Sequence, residues 1–214
     1  PTGAVNGFCN MLFKLIEDTK SNSKPTHLAV IFDSARKTFR NDIYSEYKAN
    51  RGEPPEDLIP QFQIIKDSVK AFGIPSIELA GFEADDIIAT YAKQAADKNW
   101  KVSIVSSDKD LMLVVTQDIN LIDTMKNKSI GIEDVKEKFG VAPDRVIDVQ
   151  ALAGDSSDNV PGAPGIGLKT AALLINEYEN LENLLESADQ IKQNKRRESL
   201  INNKELIKIS KQLV

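Results

Sequence analysis

Histidine and cysteine are almost missing from this chain of 214 residues, which has one of each, His27 and Cys9. A single cysteine excludes an internal disulfide and a cysteine zinc cluster, and it suits a reducing compartment. A single histidine leaves little room for imidazole metal sites or for a nucleophile triad that runs through histidine. No stretch approaches the roughly 20 apolar residues of a membrane span, and neither an initiator Met nor a signal-peptide pattern opens the sequence. Disorder is excluded too, because 41% hydrophobic and 28% charged residues make an ordinary globular composition. The length suits one sizeable domain, or one domain with a small appendage. Positive charge is in deficit: 27 Lys and Arg face 32 Asp and Glu, for a net charge of −5. On average, that balance argues against nucleic acid as a partner.

The average conceals a pattern. Residues 1–82 hold ten acidic and ten basic side chains, residues 83–158 fifteen and nine, and residues 159–214 seven and eight. The deficit lies in the middle third, where acids come in clumps: Glu83, Asp85 and Asp86; Asp108 and Asp110; Asp155 and Asp158. Like charges at such spacing repel, so clumping costs free energy unless a cation compensates.

The hydrophobic pattern predicts an α/β layer. A helix is expected from Gly7 to Asp18, with Phe8, Leu12, Leu15 and Ile16 on one face. Leu28–Phe32 is a continuous apolar run, as in a buried parallel strand. A helix over Asp57–Phe72, a strand over Ile74–Leu79, a helix over Glu83–Lys98 and a strand over Val102–Val105 follow. A helix from Asp108 and a short strand over Ile119–Ile122 complete the layer. From Ile132 onward the chain reads as all-helical, with breaks at Gly140, Gly154 and Pro161–Gly167. The expected fold is a mostly parallel sheet with flanking helices in residues 1–131, followed by a helical subdomain in residues 132–214.

Asp33 follows the first expected strand, Glu83, Asp85 and Asp86 follow the second, and Asp108 and Asp110 follow the third. In an open parallel sheet these carboxyl ends share one edge, so acids far apart in sequence converge there. A helix N-terminus offsets one extra negative charge, not five or six. An oxygen-rich cluster of this kind suits hard divalent cations, Mg²⁺ or Mn²⁺, and two such ions can activate water and stabilise the leaving oxygen of a phosphodiester. Helix caps and solvated loop residues account for any one of these acids taken alone.

Two further segments suggest phosphate contact. Residues 36–52 interleave Arg36, Lys37, Arg40, Lys48 and Arg51 with Phe39, Tyr44 and Tyr47. Cations for phosphates and rings for bases are the ingredients of single-strand binding, although an amphipathic surface helix explains the same residues. Gly154–Gly167 carries Asp155 and Asp158 into a Pro164-Gly165-Ile166-Gly167 turn, followed by Lys169 and Thr170. Exposed amides and a helix N-terminus there can hold a DNA backbone phosphate, in the manner of a helix–hairpin–helix. The spacing is not that of a P-loop. The closing segment, with Lys192, Lys195, Arg196, Arg197, Lys204, Lys208 and Lys211, reads equally well as a solvated helix face.

Phe32-Asp33, Thr38-Phe-Arg40, Tyr47-Lys-Ala-Asn-Arg51, Phe82-Glu-Ala-Asp-Asp86, Ser107-Asp-Lys-Asp110 and Gly154-Asp-Ser-Ser-Asp-Asn-Val-Pro-Gly162 together resemble the 5′-nuclease domain of bacterial DNA polymerases I, within the flap endonuclease family. The six blocks occur in the family's order and span essentially the whole chain. The resemblance implies a PIN-like 5′-nuclease fold with a helix–three-turn–helix subdomain, and a Mg²⁺-dependent 5′→3′ exonuclease and flap endonuclease. The implied metal ligands are Asp33, Glu83, Asp85, Asp86, Asp108, Asp110, Asp155 and Asp158. The implied arch is residues 36–52, with Arg40, Tyr47, Lys48 and Arg51 steering the scissile phosphate and Arg36, Lys37 and Tyr44 contacting DNA. Gly162, Gly165, Gly167, Lys169 and Thr170 fall in the stretch that grips duplex DNA, often around a K⁺ ion. Implied partners are DNA with a 5′ flap, nick or RNA primer and a polymerase domain in the same parent chain, in a bacterial cytoplasm. The family pattern places one more strand, ending in a metal-binding Asp, before Pro1, so a domain short of one ligand and one central strand is expected, with reduced or no activity. Ser107 and Ala163 replace the family's usual Gly and Val or Ile. Two other functions fit the same residues: a PIN-like ribonuclease, and a DNA-binding module without catalysis.

Overall fold

The computed structural model describes residues 1–22 and 25–214. In chain order the elements are α1 (Gly3–Asn22), β1 (Val30–Ile31), α2 (Phe39–Ile43), α3 (Ile59–Ala71), β2 (Ser76–Ile77), α4 (Ala84–Ala96) and β3 (Val102–Val105). They continue with β4 (Ile119–Asp123), β5 (Lys128–Ile130), α5 (Ile132–Phe139), α6 (Val146–Ala153), α7 (Leu168–Tyr178), α8 (Leu181–Glu186), α9 (Asn194–Asn202) and α10 (Lys204–Leu213). A 3₁₀ turn, Asp110–Val114, stands where the sequence predicts a helix after β3. The chain forms two compact units, Pro1–Arg36 with Gly52–Ala84, and Lys37–Arg51 with Asp85–Val214.

In the first unit, α1 packs on α3. Helix α1 begins four residues earlier than its apolar face predicts, because the Gln61 side chain accepts from Ala4 N–H at 2.9 Å and Val5 N–H at 3.2 Å. Those amides have no partner within the helix, and Gln61 is buried to supply one. β1 and β2 pair in parallel over only two residues, Val30 with Ser76 and Ile31 with Ile77. Pro75 precedes the ladder and has no N–H to extend it, so the five-residue apolar run yields a short strand.

In the second unit, β3 and β4 are parallel from Val102–Ile119 to Val105–Ile122, and β5 folds back antiparallel on β4. Among the described residues the strands form two small sheets, one of two strands and one of three, with mostly parallel pairing as expected. The core of this unit gathers around α6, whose Val146, Val149, Ala151 and Leu152 are fully buried. A helix as apolar as the Val-Ile-Asp-Val-Gln-Ala-Leu-Ala stretch, where only Asp148 and Gln150 are polar, must be surrounded, and α7 and α10 pack against it. Between α6 and α7, Gly154 and Gly162 both adopt positive φ, at 72° and 62°. A Cβ on Gly162 would lie 2.4 Å from the Gly154 nitrogen, so the two backbones touch. Between them Asp155 and Val160 exchange backbone hydrogen bonds of 2.9 and 2.8 Å and close the acidic loop.

Candidate metal centre and nucleic-acid interface

In the second unit, the loop after β3 and the loop after α6 bring three predicted ligands into one electrostatic neighbourhood. Asp108 opens its loop by accepting from the Asp110 N–H at 3.0 Å. Asp110 begins the 3₁₀ turn and accepts from Gln150 Nε2 at 2.6 Å. Burial lifts the Asp110 carboxyl above its ordinary pKa, and the Asp108 and Asp155 charges add to this, against the Gln150 hydrogen bond and the Lys109 ammonium. Asp155 goes the other way. Burial would raise it, but hydrogen bonds from Lys109 and Ser157 outweigh that and hold it below the usual carboxylate range. The Lys109 ammonium is bonded directly to Asp155 Oδ2.

Two further carboxylates of this unit pair with the basic segment 37–51. Asp86, in the first turn of α4, forms a bidentate pair with Arg40, both bonds 2.8 Å. Asp158 is bonded to Arg51 and lies 3.5 Å from Lys48 Nζ. Backbone contacts reinforce this docking. Lys48 N–H donates to Asp158 O at 2.9 Å, Asn50 Nδ2 to Ser156 O at 2.8 Å and Asn159 Nδ2 to Glu46 O at 2.6 Å. Lys48 and Asn159 both adopt left-handed backbone, φ 56° and 57°, a conformation that side chains other than Gly, Asn and Asp rarely hold without external support. Asp85 shares the first turn of α4.

In the first unit, Asp33 follows β1 and accepts from Ala84 N–H at 2.7 Å, next to Glu83. It therefore caps the amide end of α4. Arg36 pairs with Glu53 and donates to the Gly52 carbonyl at 3.0 Å. Among the described residues, no three His, Cys, Asp or Glu side chains stand close enough together to hold a metal ion. The physical reason is visible in the pairs above: several acids turn to an Arg, a Lys or a backbone amide. The donor chemistry still fits a hard divalent cation, since every candidate ligand is a carboxylate oxygen.

Several expected contacts take other roles. Tyr47 is 5% exposed and packs with Val160 and Leu213, so it is a core residue and presents no ring for a base to stack on. Tyr44 is partly buried against the same cluster. Arg40 is 8% exposed, and besides Asp86 it donates from Nε to the Leu213 carbonyl at 2.7 Å. It anchors the segment and has no open face toward a phosphate. Gly162 is buried and its N–H donates to Ser210 Oγ at 2.9 Å, so it offers no amide to a ligand. Gly165 (φ 79°) and Gly167 do lie open, with nothing within 4 Å of where a Cβ would stand, and Lys169 is exposed beside the half-buried Thr170. Lys37 is exposed and 3.3 Å from Asp42. Sequence reasoning missed Lys109 and Gln150. A lysine flanked by Asp108 and Asp110 was a signal for the first, whereas Gln150, on an otherwise apolar helix, gave none.

Comparison with known proteins places this arrangement. Residues 1–140 match the family described as 5′-3′ exonuclease, N-terminal resolvase-like domain, and residues 141–214 match 5′-3′ exonuclease, C-terminal SAM fold. The chain is 58% identical over 217 residues to DNA polymerase I of Rhizobium leguminosarum, covering 100% of this chain and 21% of that protein. It is 43% identical over 187 residues to a 5′-3′ exonuclease of Aquifex aeolicus, covering 87% of this chain and 63% of that one. The chain thus spans between a fifth and a quarter of the DNA polymerase I relatives it matches. Among solved structures, T5 5′-exonuclease with divalent metal ions (zinc) bound has a TM-score of 0.84 at 24% identity, covering 95% of this chain and 79% of that chain. The catalytic core of Rad2 in complex with DNA substrate has a TM-score of 0.56 at 22% identity, covering 93% and 62%. With both family models matching end to end, over the same blocks that carry the acids, the chain belongs to the 5′-3′ exonuclease family.

Proposed function

We propose that the chain is the 5′-nuclease part of a DNA polymerase I and hydrolyses phosphodiesters at 5′ ends and 5′ flaps of DNA. The observation that carries this is Lys109, whose ammonium bonds Asp155 and feels the charges of Asp108 and Asp110, acids of two loops of the second unit. Such a set of oxygens is made for cations and is costly without them. Asp108, Asp110 and Asp155, with Asp85, Asp86 and Asp158 of the same unit as the remaining candidates, would hold Mg²⁺ or Mn²⁺, two ions in all. When bound, such ions supply Lewis acidity that activates water and steadies the leaving oxygen.

The chain's own residues orient and steer. Gln150 fixes the Asp110 carboxylate, and Ser157 fixes Asp155 through its N–H at 2.8 Å and its hydroxyl. Gly165, Gly167, Lys169 and Thr170 present amides and charge to a duplex backbone, without reading bases, and a K⁺ ion is proposed for the same turn. Lys48 and Arg51, paired with Asp158, are the cations of segment 37–51 best placed to trade a carboxylate for a phosphate. Substrates on this reading are flaps, nicks and RNA primers, and the parent chain carries the polymerase. The test is cleavage of a labelled 5′-flap duplex in Mg²⁺, with Asp108→Ala plus Asp110→Ala as control. Cleavage in EDTA, or undiminished cleavage by the double variant, refutes the metal-centred reading. Preference for single-stranded RNA would favour a ribonuclease, and flap binding without cleavage at any Mg²⁺ or Mn²⁺ concentration a binding module.

A further inference from the structure

Lys109 has no assigned role, yet its position is specific. It immediately precedes the 3₁₀ turn Asp110–Val114, with Asp108 and Asp110 on either side in sequence, and its ammonium is bonded to Asp155 Oδ2, 46 residues away. The other oxygen of Asp155 is also taken, by the Ser157 N–H at 2.8 Å and the Ser157 hydroxyl. The Asp155 side chain is 10% exposed and that of Lys109 is 40% exposed. A nearly buried carboxylate is therefore neutralised by a partly solvated, flexible cation.

An exposed surface ion pair of this kind would count for little. Here the carboxylate is nearly out of water and has the Asp110 charge nearby, so losing the ammonium leaves an uncompensated negative site. Arg40 on Asp86 is a different case, since a buried, bidentate guanidinium cannot leave without unpacking its surroundings. A lysine on a four-carbon stem with its tip near solvent can withdraw while the backbone stays in place. The oxygen it covers, Oδ2, is the one on Asp155 not already spent on Ser157.

We propose that Lys109 is a positioning residue acting as a resident counter-ion. It joins the loop after β3 to the loop after α6 while no divalent ion is bound, and it yields Asp155 Oδ2 when one binds. The proposal rests on the metal-centred reading above. It makes two predictions of opposite sign. Without the ammonium the metal-free protein should be less stable, and the competition against a divalent ion should vanish.

The experiment compares the full chain, Lys109→Met and Lys109→Arg by thermal denaturation in EDTA and by calorimetric titration with Mg²⁺ alone. Expected for Lys109→Met are a lower melting temperature in EDTA and Mg²⁺ affinity about two- to tenfold tighter than wild type, the range of a partly exposed to partly buried ion pair. Lys109→Arg, which keeps the charge, should match wild type in EDTA and bind Mg²⁺ no tighter. A lysine that merely supported the fold would weaken both properties together. An unchanged melting temperature for Lys109→Met, weaker Mg²⁺ binding by it, or tighter binding by Lys109→Arg overturns the proposal. If Lys109→Met does not fold, the Arg variant decides through its Mg²⁺ affinity. If wild type itself shows no Mg²⁺ binding, the metal reading and the exchange fall together, while the EDTA melting temperatures still judge the counter-ion.

Discussion

Replacing Arg40 separates anchoring from steering. Its guanidinium donates charge-assisted hydrogen bonds of 2.8 Å to both Asp86 oxygens and of 2.7 Å to the Leu213 carbonyl, and stacks 4.7 Å from the Phe39 ring centroid. The side chain is 9% exposed and its partner carboxylate 22% exposed. Breaking one side of a largely buried pair costs about 3–5 kcal/mol, because the remaining charge is stranded. Arg40→Ala should therefore lose about 3–4 kcal/mol, the lower part of that range reflecting the partial solvation of Asp86. Arg40→Lys keeps the charge but not the fork geometry, and should lose about 1–2 kcal/mol. Urea denaturation followed by circular dichroism reads both, with an unchanged m-value confirming that stability alone has shifted. Under conditions where the Lys variant is fully folded, its flap cleavage should stay within about threefold of wild type, less than the loss of one transition-state hydrogen bond. A stability change under about 1 kcal/mol for Arg40→Ala, or a hundredfold loss of cleavage by folded Arg40→Lys, would show that the side chain works on substrate and not as an anchor.

Three more outcomes are expected. Gly162→Ala should cost about 3 kcal/mol or more in urea denaturation, from its positive φ and a Cβ 2.4 Å from the Gly154 nitrogen, whereas Gly165→Ala, with open space, should cost only about 1 kcal/mol. In EDTA at pH 7, Asp110→Asn should melt higher and Asp155→Asn lower than wild type. The signs follow from the shifts: the raised Asp110 pKa is a penalty present above its folded value and gone below the ordinary 3.8, and the lowered Asp155 pKa is a stabilisation present above 3.8 and lost as pH falls through its folded value. Both differences should therefore shrink in melting curves taken toward pH 3, about a unit below the ordinary carboxyl value. A double-mutant cycle between Arg51 and Asp158 should give a coupling of about 0.5–1 kcal/mol, since Arg51 is half exposed, and Asp158→Asn should speed hydrogen exchange in residues 46–51.

Local pattern made most elements legible. The apolar run at Leu28–Phe32, the periodicity of α3 and α4, and the Gly and Pro breaks after Ile132 all state their conformations within a few residues. Structure departs where a distant partner decides. The start of α1 depends on Gln61, more than fifty residues away in sequence, and β1 stops short where Pro75 precedes the strand it meets. The three-residue β5 is too short for alternation to announce it. In residues 36–52 composition alone suggests either rings and cations facing a nucleic acid or an amphipathic surface helix. Val160 and Leu213, far along the chain, turn Tyr47 inward, and Asp86 and Asp158 claim the cations. The acids of the candidate site could be read as clumps, because repulsion is a local matter. Their compensation by internal cations could not, since it requires knowing which loops meet.

The contact between Gly154 and Gly162 fixes the two ends of the acidic loop backbone against backbone, with no side chain intervening. The stretch from Asp155 to Val160 is therefore a cassette clasped by backbone alone, while Asp158 and Asn159 inside it hold Arg51 and the Glu46 carbonyl. Its frame tolerates no larger residue at either clasp, yet Ser156, exposed between them, is free to vary. An engineer probing the proposed ion site could place a further oxygen at Ser156 while leaving Asp158, Asn159 and the helices that carry the loop unchanged.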